Sequence, residues 1–272
     1  MTITRETCAA RDAADPLPPL RGSYALSRIA AERVIYLDGN SLGVLPAAAP
    51  ERLRQVAELE WGEGLIRSWN TAGWLTLSQR IGDKIARLIG ARPGEVAVAD
   101  STSVNLFKVL GAAMAMAEPG RTPIISERTN FPTDLYIADT IARERGFELV
   151  LVDHLEIASL LDDGAAILML THVNYRTGFM FNMREVTRAA HEAGVVMIWD
   201  LCHSAGAVPV NLHGEAPEET ADFAVGCGYK YLNGGPGAPA FLWAHPAHTA
   251  WMDERHWRQP LSGWLGHAVP FD

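Results

Sequence analysis

The chain has 272 residues, enough for one large domain or two small ones. Its 48% hydrophobic and 20% charged residues are ordinary for a soluble globular protein and can fill a substantial core. A formal net charge of −9, with no Lys/Arg cluster to offset it, argues against a nucleic-acid partner. Cys8, Cys202 and Cys227 are odd in number and lack metal-ligand spacing, which fits a reducing cytoplasm better than a disulfide scaffold. Met1 to Pro16 is polar, so no signal peptide is expected, and the longest apolar runs are strand-sized, too short to span a membrane. A soluble, cytoplasmic protein is expected.

In chain order, residues 1–45 read as an arm with a short helix, then an extended piece, Val34-Ile35-Tyr36-Leu37, and a shaped loop, Asp38-Gly39-Asn40-Ser41-Leu42-Gly43. The Gly and Asn of that loop permit positive φ. Residues 46–272 read as one large domain. Pro46 and the alanines after it open a helix to about Glu63, which Gly64 to Asn70 breaks. Leu75, Leu77, Ile81, Ile85, Leu88 and Ile89 mostly keep helical spacing.

Beyond Gly90, strands and helices alternate. Strands are expected at 96–99, 124–125, 149–152, 166–170, 195–199, 223–226 and 240–243. Helices are expected at 103–117, 134–145, 157–161 and 184–193, with Gly194 as the last helix's stop. Such alternation, with nearly continuous apolar strands, describes a three-layer α/β/α sandwich around a mostly parallel sheet of about seven strands. Only Cys227 to Pro239 separates the last two strands, too little for a helical crossover, so the last strand is expected to be antiparallel. The acidic stretch Glu215 to Thr220 reads as a surface loop, and no closing helix is expected after the last strand.

In a sheet of this kind, the loops after the strand C-termini converge on one ligand site. After the first strand, Ser101, Thr102 and Ser103 put hydroxyls at a helix N-terminus, either a phosphate cup or simple capping. After the second, Phe131 precedes Pro132 and Asp134; its ring can cover a flat cofactor or staple the helix. Thr171 to Gly178 form a polar turn after the fourth strand. The fifth ends in Asp200-Leu201-Cys202-His203, and Lys230 is the one charged residue between Phe223 and Trp243. Taken singly, Asp200 is a strand-end cap, His203 a surface histidine and Lys230 a snorkelling lysine. Taken together, they are the layout of a pyridoxal phosphate enzyme. The lysine holds the aldehyde, and the aspartate holds the pyridine nitrogen proton. A dinucleotide fold is disfavoured because no Gly-x-Gly-x-x-Gly joins a strand to a helix. His191-Glu192 lacks the second histidine of a zinc site, and Cys202 and Cys227 read as small buried residues.

Four stretches together resemble kynureninase, a class V aminotransferase relative: Asp38 to Gly43, Asn130 to Asp134, Trp199 to Gly206 and Gly228 to Gly237; Trp257 to His267 continues the match. The resemblance implies a homodimeric fold-type-I pyridoxal 5'-phosphate enzyme. Its reaction is hydrolysis of the Cβ–Cγ bond of L-kynurenine or 3-hydroxykynurenine, within tryptophan catabolism and NAD biosynthesis. By resemblance, Lys230 carries the cofactor, Asp200 pairs with its ring nitrogen, and Tyr229 is the acid/base. Thr102, Ser103, His203 and Tyr229 surround the phosphate, with Trp264 contributed across the dimer. Phe131 stacks on the ring, Asp134 and Thr171 complete the shell, and Trp69 contacts the substrate. Family members continue into a small C-terminal domain holding a substrate-binding arginine, which is absent from this chain. Two rival readings remain: a fragment that binds cofactor or only dimerises, and another class V enzyme such as a cysteine desulfurase.

Overall fold

The computed structural model describes residues 3–16, 20–161, 164–259 and 261–263. The first part of the chain is helical: α1 (Arg5–Ala14), α2 (Ser27–Ala31), α3 (Ala49–Gln55), α4 (Ser68–Thr71) and α5 (Leu77–Ile89). Alternation follows, with β1 (Val96–Val98), α6 (Thr102–Met116), β2 (Pro123–Glu127), α7 (Pro132–Arg145), β3 (Glu148–Val152), α8 (Ile157–Leu161), β4 (Ile167–Thr171), α9 (Met183–Glu192), β5 (Val196–Asp200), β6 (Phe223–Gly226), β7 (Phe241–Ala244) and α10 (Pro246–Glu254).

The strands form one seven-stranded sheet in the order β1-β7-β6-β5-β4-β2-β3. β7 runs antiparallel to both β1 and β6, and the remaining pairs are parallel, as the short Cys227–Pro239 connection requires. Side chains alternate between two cores. Leu168, Leu170, Met197 and Trp199 pack with Ile85 and Ile89 of α5 on one face. Ile167, Met169 and Ile198 pack with Leu106 and Leu110 of α6 and Ile141 of α7 on the other. A strand buried on both faces has no polar side to show, which explains the unbroken apolar runs.

Three expectations need correction and one needs a detail added. The helix predicted from Pro46 to Glu63 starts at Ala49, and its second half, Val56–Glu63, is wound as a π-helix. The loop Asp38 to Gly43 has no positive φ at Gly39, Asn40 or Gly43. Its glycines are needed for close approach instead: a Cβ on Gly43 would lie 2.0 Å from the Lys230 carbonyl oxygen, and one on Gly39 3.0 Å from the Tyr231 ring. The acidic stretch lies at the surface as expected but carries a short helical turn, Pro217–Glu219, and a buried carboxylate. Glu219 is buried and bonds the Arg184 guanidinium through both carboxylate oxygens, at 3.1 and 3.2 Å. A further helix, α10, follows the last strand. Pro246 opens it, and His248 on its first turn bonds the buried Asp222 carboxylate at 2.5 Å. Among the described residues no helix is long and apolar enough to cross a membrane.

Candidate active site

Parallel strands β2, β4, β5 and β6, together with β1, end on the same edge of the sheet, and the polar residues that follow them meet there. They line a cavity of about 260 Å³ bounded by Ser101, Thr102 and Ser103 from β1–α6, Phe131, Thr133 and Asp134 from β2–α7, Asp200, Cys202 and His203 after β5, and Tyr229 and Lys230 after β6. The sequence placed the lysine and the aspartate opposite one another across a ligand, and both reach this cavity.

Local chemistry sets each position. Ser101 caps α6, its Oγ accepting from the Val104 N–H at 3.3 Å, which leaves Thr102 and Ser103 in the first turn at the positive end of a 15-residue helix. Phe131 stands at the N-cap of α7 with Pro132 behind it; its ring meets Tyr175 edge-on, centroids 5.3 Å apart. Asp200 ends β5 in register with Thr171, and its Oδ1 accepts from the Cys202 N–H at 2.9 Å. Lys230 is buried, and its Nζ lies 2.6 Å from His203 Nε2 and 5.4 Å from the Phe131 ring centroid. The loop Asp38 to Gly43 buttresses this lysine segment, with the Gly43 N–H donating to the Tyr229 carbonyl at 2.9 Å.

Burial perturbs several of these groups. Desolvation pushes the Asp134 carboxyl well up, and the nearby Asp200 charge adds to it while Lys230 opposes it. Desolvation, then the Lys230 charge, moves His203 down. A neutral His203 facing Lys230 through Nε2 can accept its N–H and carry its own proton on Nδ1. Burial raises the Tyr229 phenol, keeping it protonated at neutral pH.

Two buried polar atoms here, Asp134 Oδ2 and His203 Nδ1, lack a hydrogen-bond partner. Together with the hydroxyl-lined helix N-terminus, an amine, a carboxylate and an aromatic wall, they fit a flat, anionic, ring-nitrogen aldehyde such as pyridoxal 5'-phosphate.

Not every expected residue arrives. Thr171 is buried beside Asp200, but its hydroxyl donates to the Val173 carbonyl at 3.2 Å and it does not line the cavity. Trp69 lies on α4, edge-on to Trp74 with centroids 6.5 Å apart, and also stands off the lining. Trp264 lies outside the described residues. Conversely, Cys202 forms part of the wall, and Tyr175 sets its ring 6.1 Å from that of His203, tilted by 30°. An aromatic residue in the polar turn after β4 was the available sign of Tyr175. Among the described residues no group of three or more His, Cys, Asp or Glu side chains could hold a metal.

The fold and this site define a class: the Aminotransferase class-V profile matches residues 35–249, and the chain belongs to that family. Within it, the chain is 55% identical over 274 residues to the kynureninase of Burkholderia pseudomallei strain 1106a, a match covering 98% of this chain and 63% of that protein. It is 53% identical to the kynureninase of Pseudomonas fluorescens over the same shares. The chain thus spans 63% of the length of these curated relatives. Among solved structures, it superposes on an apo cysteine desulfurase from Thermococcus onnurineus with a TM-score of 0.67 and 22% identity, covering 84% of this chain and 56% of that one. A C-DES variant with glycine covalently linked to its PLP cofactor gives a TM-score of 0.70 at 17% identity, covering 86% and 61%. These last two likenesses concern the fold.

Proposed function

We propose that this protein is a pyridoxal phosphate-dependent hydrolase that cleaves the Cβ–Cγ bond of L-kynurenine, or its 3-hydroxy analogue, to an anthranilate and L-alanine. Lys230 and Asp200 reaching one cavity with the hydroxyl-bearing N-terminus of α6 is the observation that carries the reading, in a chain so similar to kynureninases. Bound there, the cofactor supplies an electron sink for carbanion chemistry on an amino acid. The protein's own groups do the rest. Thr102, Ser103 and the free N–H groups of α6 bind the phosphate, and Phe131 covers the ring. Asp200 would hold the ring nitrogen proton, with Asp134, its carboxyl raised by burial, completing the shell. Lys230 would hold the cofactor's aldehyde carbon and would be the base for the substrate's α-proton, with His203 at 2.6 Å as its hydrogen-bond partner. Tyr229, its ring centroid 5.5 Å from Lys230 Nζ and its phenol raised by burial, is the acid/base of this reading. Thr171, Trp69 and Trp264 belong to this proposal as shell and substrate contacts.

The division into an arm and loop at 1–45 and a cofactor domain at 46–272 belongs to the same reading, as do residence in the cytoplasm, a role in tryptophan catabolism and NAD biosynthesis, and a homodimer. Dimerisation is supported by the exposed apolar side chains Ile35, Leu37, Leu53, Trp61 and Ile66, which lie close together in sequence.

A second reading, a protein that binds cofactor and dimerises without turnover, is motivated by the 63% span. Cysteine desulfuration is less well supported: Cys202 and Cys227 are buried just after strand ends rather than carried on an exposed loop. Titrating the purified chain with pyridoxal phosphate should produce a visible absorbance band that Lys230→Ala abolishes, and added kynurenine should yield fluorescent anthranilate. A band that survives in the variant would move the cofactor to another lysine. A band in the native protein without anthranilate would favour the second reading, and turnover of cysteine instead would favour the third.

A further inference from the structure

Three rings from three different loops meet beside the Lys230 amine. Phe131, before α7, and His203, after β5, have centroids 6.3 Å apart. Tyr175, in the turn after β4, lies 5.3 Å from the first and 6.1 Å from the second. Lys230 Nζ stands 5.4 Å from the Phe131 centroid and 2.6 Å from His203 Nε2. Tyr175 is half-buried and does not line the cavity; its ring packs on the other two. The turn that carries it is tightly held. Asn174 is buried, and its Oδ1 accepts from the Arg176 N–H at 3.0 Å and the Thr177 N–H at 3.2 Å. Its Nδ2 donates to Glu127 Oε2 at 3.1 Å and Thr129 Oγ1 at 2.9 Å. Glu127 ends β2 and Thr129 stands in the loop that leads to Phe131, so one side-chain amide ties the Tyr175 turn to the Phe131 segment.

We propose that Tyr175 is a positioning residue whose ring holds His203 with its Nε2 on the Lys230 amine and holds Phe131 in place at the cavity edge. A histidine is ordinarily aimed by a hydrogen bond to its other ring nitrogen. Here His203 Nδ1 is buried and has no such partner among the described residues, so the packed rings set its direction. The Tyr175 ring also keeps water off the imidazole. Lys230 and Asp200 are the charged groups that face His203; burial, then the lysine charge, moves it down, and Asp200 opposes them. Without the Tyr175 ring, water reaches His203, its proton affinity climbs toward the ordinary value of 6.5, and the imidazole is free to turn from the amine. The consequence for cofactor capture rests on the function proposed above, whereas the aim of His203 rests on the three rings alone.

The test is a nitrogen NMR titration of the full chain with labelled histidine and no cofactor, His203→Gln serving to assign the signal. In the parent, His203 at neutral pH should be uncharged with its proton on Nδ1, and it should titrate below 6.5. Tyr175→Ala should raise the midpoint and mix the two tautomers, and Tyr175→Phe, which keeps the ring, should restore the parent's behaviour. On addition of pyridoxal phosphate, the visible absorbance band should form about tenfold more slowly in Tyr175→Ala and at the parent's rate in Tyr175→Phe. A parent His203 with its proton on Nε2, or charged at neutral pH, would overturn the proposal even if the alanine variant folds poorly. A folded Tyr175→Ala chain with the parent's titration would do the same. If Tyr175→Phe behaves like alanine, the role passes to the hydroxyl and the ring loses it. An altered titration with an unchanged rate would overturn the part in cofactor capture. A parent chain that forms no band would count against the function proposed above and leave the His203 titration to judge Tyr175.

Discussion

Two buried carboxyl groups stand beside one lysine, and burial, with the Asp200 charge, raises Asp134. The folded state therefore binds a proton that the unfolded chain releases. The sign follows: with a raised acid, the native state loses relative stability as pH climbs from the unfolded value toward the folded one. Asp134→Asn keeps the shape without the proton, so the variant should be more stable than the parent at neutral pH and show a flatter pH slope in urea unfolding. Its cofactor affinity should fall nevertheless, because a group aimed at a ligand is often held at a cost to stability.

His172 works in the opposite sense. Burial beside Trp199 lowers its imidazole from 6.5 to about 4. The unfolded chain therefore binds a proton that the native state refuses, and acidification through that window should remove about 3 kcal/mol of stability. His172→Phe should remove that part of the slope in urea titrations at successive pH values; an unchanged slope would assign the acid sensitivity elsewhere. Neither behaviour was legible in the sequence, where His172 was one more polar residue in a turn.

At the scale of elements, the loop Asp38 to Gly43 serves as a buttress for the lysine segment. Gly43→Ala would drive a methyl group against the Lys230 carbonyl, 2.0 Å from the ideal Cβ, and backbone on one side must give way. The expected cost is about 1–3 kcal/mol of stability, together with a drop of about tenfold or more in cofactor affinity as Lys230 shifts. Gly22→Ala, with nothing within 4 Å of its Cβ, is the matched control and should leave both unchanged. The sequence singled out this loop for its glycines and assigned them the wrong reason, because a contact across nearly two hundred residues leaves no local trace. Helix α10 was missed for a related reason. Its ten-residue neighbourhood has no apolar periodicity, and it is held by Asp222, whose carboxylate also accepts from His191 at 2.9 Å and from the Met197 N–H at 2.7 Å.

For the whole molecule, several large apolar side chains between residues 35 and 66 are left in water. Ile35, Leu37, Leu53 and Ile66 are each more than two-thirds exposed or close to it, and Trp61 is 69% exposed. A monomer rarely leaves so much apolar surface uncovered, so sedimentation velocity should find a dimer at micromolar concentration. The double variant Trp61→Glu, Ile66→Glu should shift it toward monomer while leaving the far-UV spectrum unchanged. A native chain that sediments as a monomer would remove the homodimer from the proposal.

The amino-acid sequence by itself determined the sheet, the reversal of its last strand and the edge where chemistry would gather. Those features rest on side-chain period, connection length and which residues follow each strand, all of them local. Only the tertiary structure decided that His203 partners Lys230, that burial raises the Asp134 carboxyl, and that Gly43 can be nothing larger. Each of these depends on the distance between residues far apart in the chain, and on how much water their packing excludes.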